Sequence, residues 1–269
     1  MQHIVVSALV PPTEQARAAL EGDGLLLAAP DDVVSLGERM KGRAAHVLLL
    51  GEKRHEQLVR RQAALLSDLG HPVTWRAAHH GPAALALVAH QVASTGVDAG
   101  IAAVLVDQIL DRTWSGAWTP SVARLEHPDV AVGQHLRSWL PGGSGFVVTF
   151  SGPLPEARPV GRASVAEPVV ARGELYGAGL SRIPASALQD ALTTAGASGT
   201  VELAALDLDP KGRVGVDTAV ELVALPAEQR MELPPAHGRC GVCDALVFSE
   251  FCPFCHVRPA AVDPRGVLA

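Results

Sequence analysis

The first half of the chain alternates short apolar runs with helical patterns, and this alternation limits the available folds more than any other feature. Four runs have the length and composition of buried strands, at residues 3–10, 24–29, 44–50 and 72–77. A segment with helical spacing follows each run, at residues 13–20, 31–40, 52–69 and 82–93. Strands joined through crossover helices form mainly parallel sheets with helices on both faces. The sequence therefore predicts an α/β fold with a doubly wound, Rossmann-like N-terminal domain.

The predicted N-terminal domain extends to residue 151. Residues 101–106 form an apolar run that is either a fifth strand or the start of a helix reaching Leu110, since periodicity cannot assign so short a run. A Trp-containing connection, a helix near 130–140 and a strand at 146–150 follow. Residues 152–170 carry four prolines and little periodicity, which is typical of a linker.

A small α+β unit is predicted at residues 171–232. Its pattern predicts a helix at 186–194 and strands at 201–208 and 214–225. The sequence between these strands, Asp209-Pro210-Lys211-Gly212, suits a β-turn and predicts a hairpin. Residues 233–269 form the last segment.

The four cysteines of the chain all lie in that last segment, as two Cys-x-x-Cys pairs: Cys240, Cys243, Cys252 and Cys255. Two such turns facing each other present four sulfurs in the tetrahedral arrangement that zinc prefers. Four sulfurs leave no open position for water, so we expect a structural Zn²⁺ rather than a catalytic one. Iron can use the same ligands, and a lone Cys-x-x-Cys can be a redox pair, but two adjacent pairs favour a metal.

The cysteine segment resembles the zinc-ribbon family over about residues 238–258. The resemblance rests on the paired Cys-x-x-Cys and on Phe251-Cys252-Pro253-Phe254-Cys255. Family members usually carry glycine after each pair, whereas this chain has Asp244 and His256. Both residue types tolerate a left-handed backbone, so the local fold is expected to survive the departure. The resemblance implies a metal and a local fold; family members dock on nucleic acid, on proteins or on their own chain.

Aromatic residues and charge help to decide whether the ribbon contacts nucleic acid, another protein or its own chain. Three of the five phenylalanines, Phe248, Phe251 and Phe254, lie inside the segment, where they either pack locally or contact a partner. Its positive charges are offset by acidic residues, and the whole chain carries a net charge of −6. A surface that grips phosphates should be visibly basic. The sequence therefore favours a protein partner over nucleic acid.

A second candidate site lies after the fourth predicted strand, at His79 and His80. Ligands of open α/β sheets bind at the carboxyl ends of strands, and a helix N-terminus favours anions. One of these histidines could bind a phosphate, while the alternative is a helix-entry residue beside a surface histidine. Trp114 and Trp118, with Trp139, either line a cleft for a flat ligand or cover the sheet.

Asp107 and Asp111 would share a helix face and hold a divalent metal, or instead form a solvated edge or pair with an arginine. Several known signatures are missing from the sequence. It contains no Walker A motif, no glycine-rich dinucleotide loop after the first strand, no Gly-x-Ser-x-Gly and no His-Glu-x-x-His.

These observations lead to one functional hypothesis and two alternatives. We expect a non-enzymatic, zinc-ribbon-containing interaction or adaptor protein whose α/β domain is a binding module. The alternatives are an enzyme or second-messenger nucleotide sensor with its site near His79 and His80, and a nucleic-acid-binding ribbon. The N-terminus lacks a signal peptide and no run reaches membrane length, so the sequence predicts a cytoplasmic protein, with the composition of a GC-rich bacterial gene.

Overall fold

The computed structural model describes residues 3–43, 45–138, 143–151, 155–162, 172–208, 211–227 and 232–259. Their strands form a four-stranded sheet, a six-stranded sheet and a two-stranded ribbon. Helices lie outside and between the two larger sheets, so that the layers alternate helix, sheet, helix, sheet and helix.

The first sheet is entirely parallel and has the order β2-β1-β3-β4. Its strands are β1 (His3–Leu9), β2 (Leu25–Ala28), β3 (Ala45–Glu52) and β4 (Val73–Ala78). The crossover helices are α1 (Glu14–Leu20), α2 (Val33–Met40) and α3 (Glu56–Asp68). The predicted doubly wound α/β arrangement is confirmed, because α2 and α3 cover one face and α1 covers the other.

Helix α4 (Pro82–Ser94) forms the middle layer together with α5 (Ala99–Arg112). Nine residues of α4 are buried, since this helix is apolar on nearly every side and contacts both large sheets. The run at 101–106 therefore belongs to a helix and not to a fifth strand. The Asp98 side chain accepts the Gly100 N–H at 2.8 Å, which caps α5 at its start.

The second sheet has the order β7-β6-β5-β10-β8-β9 and is antiparallel except for the pair β8 and β9. Its strands are β5 (Trp114–Thr119), β6 (Phe146–Ser151), β7 (Glu156–Pro159), β8 (Arg172–Gly177), β9 (Gly199–Glu202) and β10 (Val220–Pro226). Helix α7 (Ala185–Ala195) packs on its outer face, and α6 (Val132–Arg137) and α8 (Lys211–Val214) are short. The sheet thus takes strands from both sides of residues 152–170 and one strand, β7, from within the predicted linker. The division into domains stays a prediction.

Two sequence predictions in this region are wrong. The segment predicted as a Trp-containing connection is strand β5, which contains Gly116. A side chain at that position would overlap the Val148 carbonyl and the Trp114 ring, so the glycine serves the packing of the sheet.

The predicted hairpin is also absent. Strand β9 pairs with β8, and β10 lies between β5 and β8, so the two predicted strands never meet. The apolar residues at 205, 206 and 208 are buried through a 3₁₀ turn instead of a strand. Asp209 and Pro210 lie outside the described residues, and residues 211–214 are helical.

A buried ion pair joins the two large sheets. Glu52, at the end of β3, is fully buried, and its carboxylate lies 2.7 Å from the Arg213 guanidinium of α8. Arg213 also donates hydrogen bonds to the backbone carbonyls of His79 and His80, and its guanidinium lies 4.0 Å from the centre of the Phe150 ring in β6. One side chain therefore connects β3, β4 and the second sheet.

Replacing Arg213 by methionine, which keeps the apolar stem, should lower the free energy of unfolding by about 3–5 kcal/mol because Glu52 loses its buried partner. Urea unfolding followed by circular dichroism measures this change. Lys211→Met in the same helix is the matched control, since its pair with Asp217 is exposed and should contribute about 0–1 kcal/mol. Equal effects of the two substitutions would contradict the role given to Arg213.

Candidate functional site

The four cysteine sulfurs converge at one point in the C-terminal segment. All four lie within 4.8 Å of one another, and those of Cys243 and Cys252 are 3.7 Å apart. A tetrahedral zinc ion with Zn–S bonds of ~2.3 Å requires sulfurs ~3.8 Å apart. The donor set and its spacing therefore fit a metal ion. Among the described residues, no other group of three or more potential ligands comes together in this way.

The backbone forms two matching turns around the sulfurs. In the first turn the Asp244 N–H donates to the Cys240 carbonyl at 2.9 Å, and in the second His256 does the same to Cys252 at 2.9 Å. Asp244 has a φ of 61° and His256 a φ of 58°, both in the left-handed region. The expectation that these two residues adopt a left-handed backbone is confirmed.

Without a cation the four sulfurs cannot all be thiolates. Burial, followed by the negative charge of neighbouring sulfurs, raises the pKa of Cys255 to about 11. Burial also raises the pKa of Cys243, so both are thiols at neutral pH unless a metal is bound. A divalent cation would displace these protons and hold the four sulfurs as thiolates.

The ribbon packs on its own chain, one of the three contacts considered from the sequence. It consists of β11 (Gly238–Arg239), β12 (Leu246–Val247) and the second cysteine turn. Asp98 at the start of α5 accepts the Leu246 N–H at 3.1 Å and lies 3.4 Å from the Arg239 guanidinium. A side chain at Gly100 would overlap the Leu246 carbonyl, so the two backbones are in close contact.

Ribbon residues also enter the core formed by the first sheet and α4–α5. The buried members are Cys240, Ala245, Val247, Cys252 and Phe254. Of the three phenylalanines, Phe254 is buried, Phe248 is half-buried and Phe251 is 45% exposed. Phe254 therefore serves internal packing.

The structure separates the two adjacent histidines. The His80 ring is buried, and its Nε2 lies 3.0 Å from the Leu110 carbonyl oxygen and 3.3 Å from that of Thr113. Burial lowers the pKa of His80 to about 4, so the ring is neutral and contacts the backbone of neighbouring elements. His80 therefore has a packing role rather than a place facing a ligand.

His79 lines a small cavity of about 260 Å³ at the ends of β3 and β4. Its ring stacks on that of His127 with the ring centres 4.4 Å apart, and burial lowers its pKa. The other residues around this cavity are Lys53, Arg54, Glu126 and Arg213. His79 as a ligand-binding residue stays a prediction.

The cations around this small cavity already have acidic partners. Lys53 lies 2.6 Å from Glu56, and Arg54 lies 3.0 Å from Glu52 and 3.4 Å from Glu126. Glu52 in addition pairs with Arg213. The cavity is therefore close to neutral and offers an anion little net attraction.

Glu221 of β10 fills the position where a ligand anion was expected. Its carboxyl group accepts N–H bonds from Ala83 at 3.0 Å and Ala84 at 3.4 Å, at the start of α4. Complete burial raises the pKa of Glu221 to about 8. This residue was not predicted from the sequence, although a glutamate inside the apolar run of β10 was a signal that could have identified it.

Two further sequence interpretations are corrected. Trp114 and Trp118 do not line a cleft, since both rings are buried between the second sheet and α7. Trp139 lies outside the described residues. Asp107 pairs with Arg76 at 2.5 and 2.9 Å, and Asp111 is exposed, so the two carboxylates form no metal site.

A larger cavity, of about 770 Å³, lies between α2 and α3 on the outer face of the first sheet. Its apolar wall includes Val34, Gly37, Leu65 and Leu69. The remaining lining residues are Glu38, Lys41, Gly42, Arg43, Ala45, His46, Gly70, His71 and Pro72. This cavity was not predicted from the sequence. The residue that could have indicated it is Gly37 in the middle of α2, because side chains from α3 approach the backbone there.

Comparisons with known proteins give a fold but no sequence relative. No family model matches the chain, and no curated protein is similar to it in sequence. A DegV family protein, Cg2579 from Corynebacterium glutamicum, aligns with 86% of this chain and 100% of its own, at 13% identity and a TM-score of 0.53. A DegV family protein from Thermus thermophilus, reported to bind fatty acid, covers 84% of this chain and 100% of its own, at 12% identity and a TM-score of 0.52.

A third solved structure is a stearic acid-binding protein from Eubacterium ventriosum. It aligns with 84% of this chain and 98% of its own, at 8% identity and a TM-score of 0.56. At such identities the likeness establishes a shared α/β fold.

The functional hypothesis drawn from the sequence is wrong. Most of the chain shares its fold with two DegV family proteins, one of them described as binding fatty acid, and with a stearic acid-binding protein, and not with a ribbon-based adaptor. The ribbon itself is packed into the core. These structures do not support the alternatives, a nucleotide sensor near His79 and His80 and a nucleic-acid-binding ribbon. No described helix combines the length and apolar character that crossing a bilayer requires.

Two buried groups with large pKa shifts, Glu221 and His80, predict a maximum of stability near pH 4.5–6.5. The raised pKa of Glu221 means that its contribution is full below about pH 4.5 and is lost as the pH rises to about 8. The lowered pKa of His80 means that its contribution is full above pH 6.5 and is lost as the pH falls to about 4. Between pH 4.5 and 6.5 the contributions of Glu221 and His80 change in opposite directions with pH, so they offset each other.

Urea unfolding at pH 5.5, 7 and 8 should show a falling free energy, by at most about 1.4 kcal/mol per pH unit. Glu221→Gln mimics the protonated acid and should remove most of this alkaline decline. Glu174→Gln, an exposed substitution in β8, is the control. An unchanged decline in Glu221→Gln would show that other groups cause it.

Proposed function

We propose that this protein binds a fatty-acid-class ligand whose apolar chain lies in the cavity between α2 and α3. The observation that carries the proposal is the cavity itself, about 770 Å³ with an apolar wall. This volume is within the ~300–1,000 Å³ typical of small-molecule sites.

Exposed apolar side chains support an apolar occupant. Val34 is 73% exposed and Leu69 is 54% exposed, and both line the cavity. Large apolar side chains exposed side by side commonly mark a binding groove. A ligand that covered them would remove apolar surface from water, which is the main driving force for binding a hydrocarbon chain.

Charge at one end of the cavity supports an acidic headgroup. Lys41 and Arg43 follow the end of α2, and Glu38 is the only carboxylate among the lining residues. Lys41 and Glu38 are 3.8 Å apart and strongly exposed, so a ligand carboxylate can compete for the lysine. An amphiphile with one negative end matches this distribution.

The ligand class is also suggested by proteins of similar fold. The Thermus thermophilus protein is described as binding fatty acid, and the Eubacterium ventriosum protein as binding stearic acid. A carrier role needs no catalytic group, and we propose a binding protein rather than an enzyme.

We further propose that the cysteine cluster holds one structural Zn²⁺. Its four sulfurs close the coordination shell, so the metal would fix the two cysteine turns and take no part in a reaction. The ribbon has little apolar core of its own and would depend on the metal for its fold.

Fatty acids of increasing length should bind with increasing affinity until the cavity is filled. Each added methylene contributes ~0.8 kcal/mol, equivalent to a roughly fourfold lower Kd. Displacement of a fluorescent fatty acid by C8 to C18 saturated acids measures the series. Equal affinity across the series, or none, would exclude an acyl-chain site.

Gly37→Leu should weaken palmitate binding about tenfold or more, because it fills space that the acyl chain needs. A side chain there would point at Leu69 and Leu65, with its first carbon 3.3 and 3.6 Å from them. Gly133→Leu is the matched control, since Gly133 also lies in a helix but faces open space. Equal Kd values for the two variants would locate the ligand elsewhere.

The purified protein should contain about one zinc ion per chain by elemental analysis, and Cys252→Ser should release it and lower the melting temperature. Ser249→Ala, on the exposed side of the same segment, should change neither value. A metal-free wild-type protein of unchanged stability would contradict the structural zinc.

A further inference from the structure

His46 connects the cysteine ribbon with the cavity between α2 and α3. It is the second residue of β3 and one of the lining residues of the cavity. Its ring is buried, and the centre of that ring lies 4.8 Å from the centre of the Phe254 ring in an edge-to-face arrangement of 77°. The backbone of Cys243 also lies near this ring.

The position of Phe254 depends on the metal ligands on either side of it. Phe254 lies between Cys252 and Cys255 in the second cysteine turn. Its ring is only 5% exposed and packs in the core beneath the first sheet. A metal that fixes the four sulfurs would therefore fix this ring against His46, and an aromatic pair of this geometry prefers a narrow range of positions.

The contact reaches the cavity through the start of β3. Ala45 and His46 both line the cavity, while the next residues of β3 are fully buried in the sheet. The second turn of the ribbon contacts His46 through the Phe254 ring, and the first turn brings the backbone of Cys243 near it. Both cysteine turns thus meet a single residue of the cavity wall.

We propose that metal binding by the four cysteines controls the affinity of the cavity for its ligand. With the metal bound, Phe254 and Cys243 hold His46 and the start of β3 in the arrangement that receives an acyl chain. When the metal is lost, this wall loosens and the ligand binds more weakly. The proposal rests on the proposed function for its ligand, but the coupling between ribbon and wall can be measured without one.

Hydrogen exchange is the first test and needs no ligand. The full chain is compared with and without Zn²⁺, with EDTA used to remove the metal. We expect faster exchange in the ribbon and at residues 45–48, and unchanged exchange in the second sheet. Unchanged exchange at 45–48, or a uniform increase that includes the second sheet, would overturn the proposal.

Ligand binding is the second test, with palmitate as the probe. Removing Zn²⁺ should raise the Kd for palmitate roughly five- to tenfold, within the range of ordinary coupling between sites. Because coupling is reciprocal, saturating palmitate should lower the Kd for Zn²⁺ by the same factor, measured by competition with a chelating dye. If palmitate does not bind at all, the proposed function fails while the exchange result still decides the coupling. Equal Kd values with and without zinc would overturn the coupling alone.

Two phenylalanines of the same ribbon provide matched variants. Phe254→Leu keeps an apolar side chain but loses the ring contact with His46, so it should retain one zinc ion per chain and show little zinc dependence of palmitate binding. Phe251→Leu changes an exposed ring whose neighbour is Arg258, at 5.5 Å, and should keep the full dependence. A full dependence in Phe254→Leu would overturn the role of the ring contact.

Discussion

The buried pair of Glu52 and Arg213 is the contact on which the arrangement of the two sheets depends. Both side chains are buried, so each charge relies on the other, with Arg54 as a second partner of Glu52 and two backbone carbonyls as further partners of Arg213. Such pairs often contribute little net stability compared with an apolar substitute, but they tolerate few alternative arrangements. Here the pair fixes the relative positions of the two sheets, because Arg213 contacts β3, the end of β4 and the Phe150 ring at the same time. The pair also removes two charges that a ligand would otherwise meet at the strand ends.

The first sheet and the cysteine turns were the most predictable parts of the molecule. The strand runs are continuous and apolar because both faces are covered, and this pattern depends only on local sequence. The left-handed backbone at Asp244 and His256 was implied by the resemblance to zinc ribbons, which usually carry glycine at these two positions. The second sheet was less predictable, because its neighbours are far apart in sequence. Strand β10 pairs with β5 and β8 rather than with the apolar run at residues 201–208, and no local sequence pattern indicates this pairing.

The candidate site was harder to predict than the fold for a related reason. His79 and His80 follow the strand where ligands usually bind, yet Glu221 from a distant strand occupies the helix N-terminus beside them. The cavity between α2 and α3 depends on the absence of a side chain at Gly37 as much as on the side chains that line it. Patterns of residue type identify chemistry carried by side chains, and they say little about space between two helices.

The position of the ribbon has a consequence for how the protein is made. Phe254 and the first strand belong to one core, so the cysteine segment completes a structure begun by β1. A growing chain emerges N-terminus first and its early segments can fold as they appear. Here the cluster around β1, α4 and α5 stays open on one side until both cysteine pairs have left the ribosome. The proposed metal site can therefore form only after both pairs have been synthesised, and a chain that stops before them would expose that apolar side to other proteins.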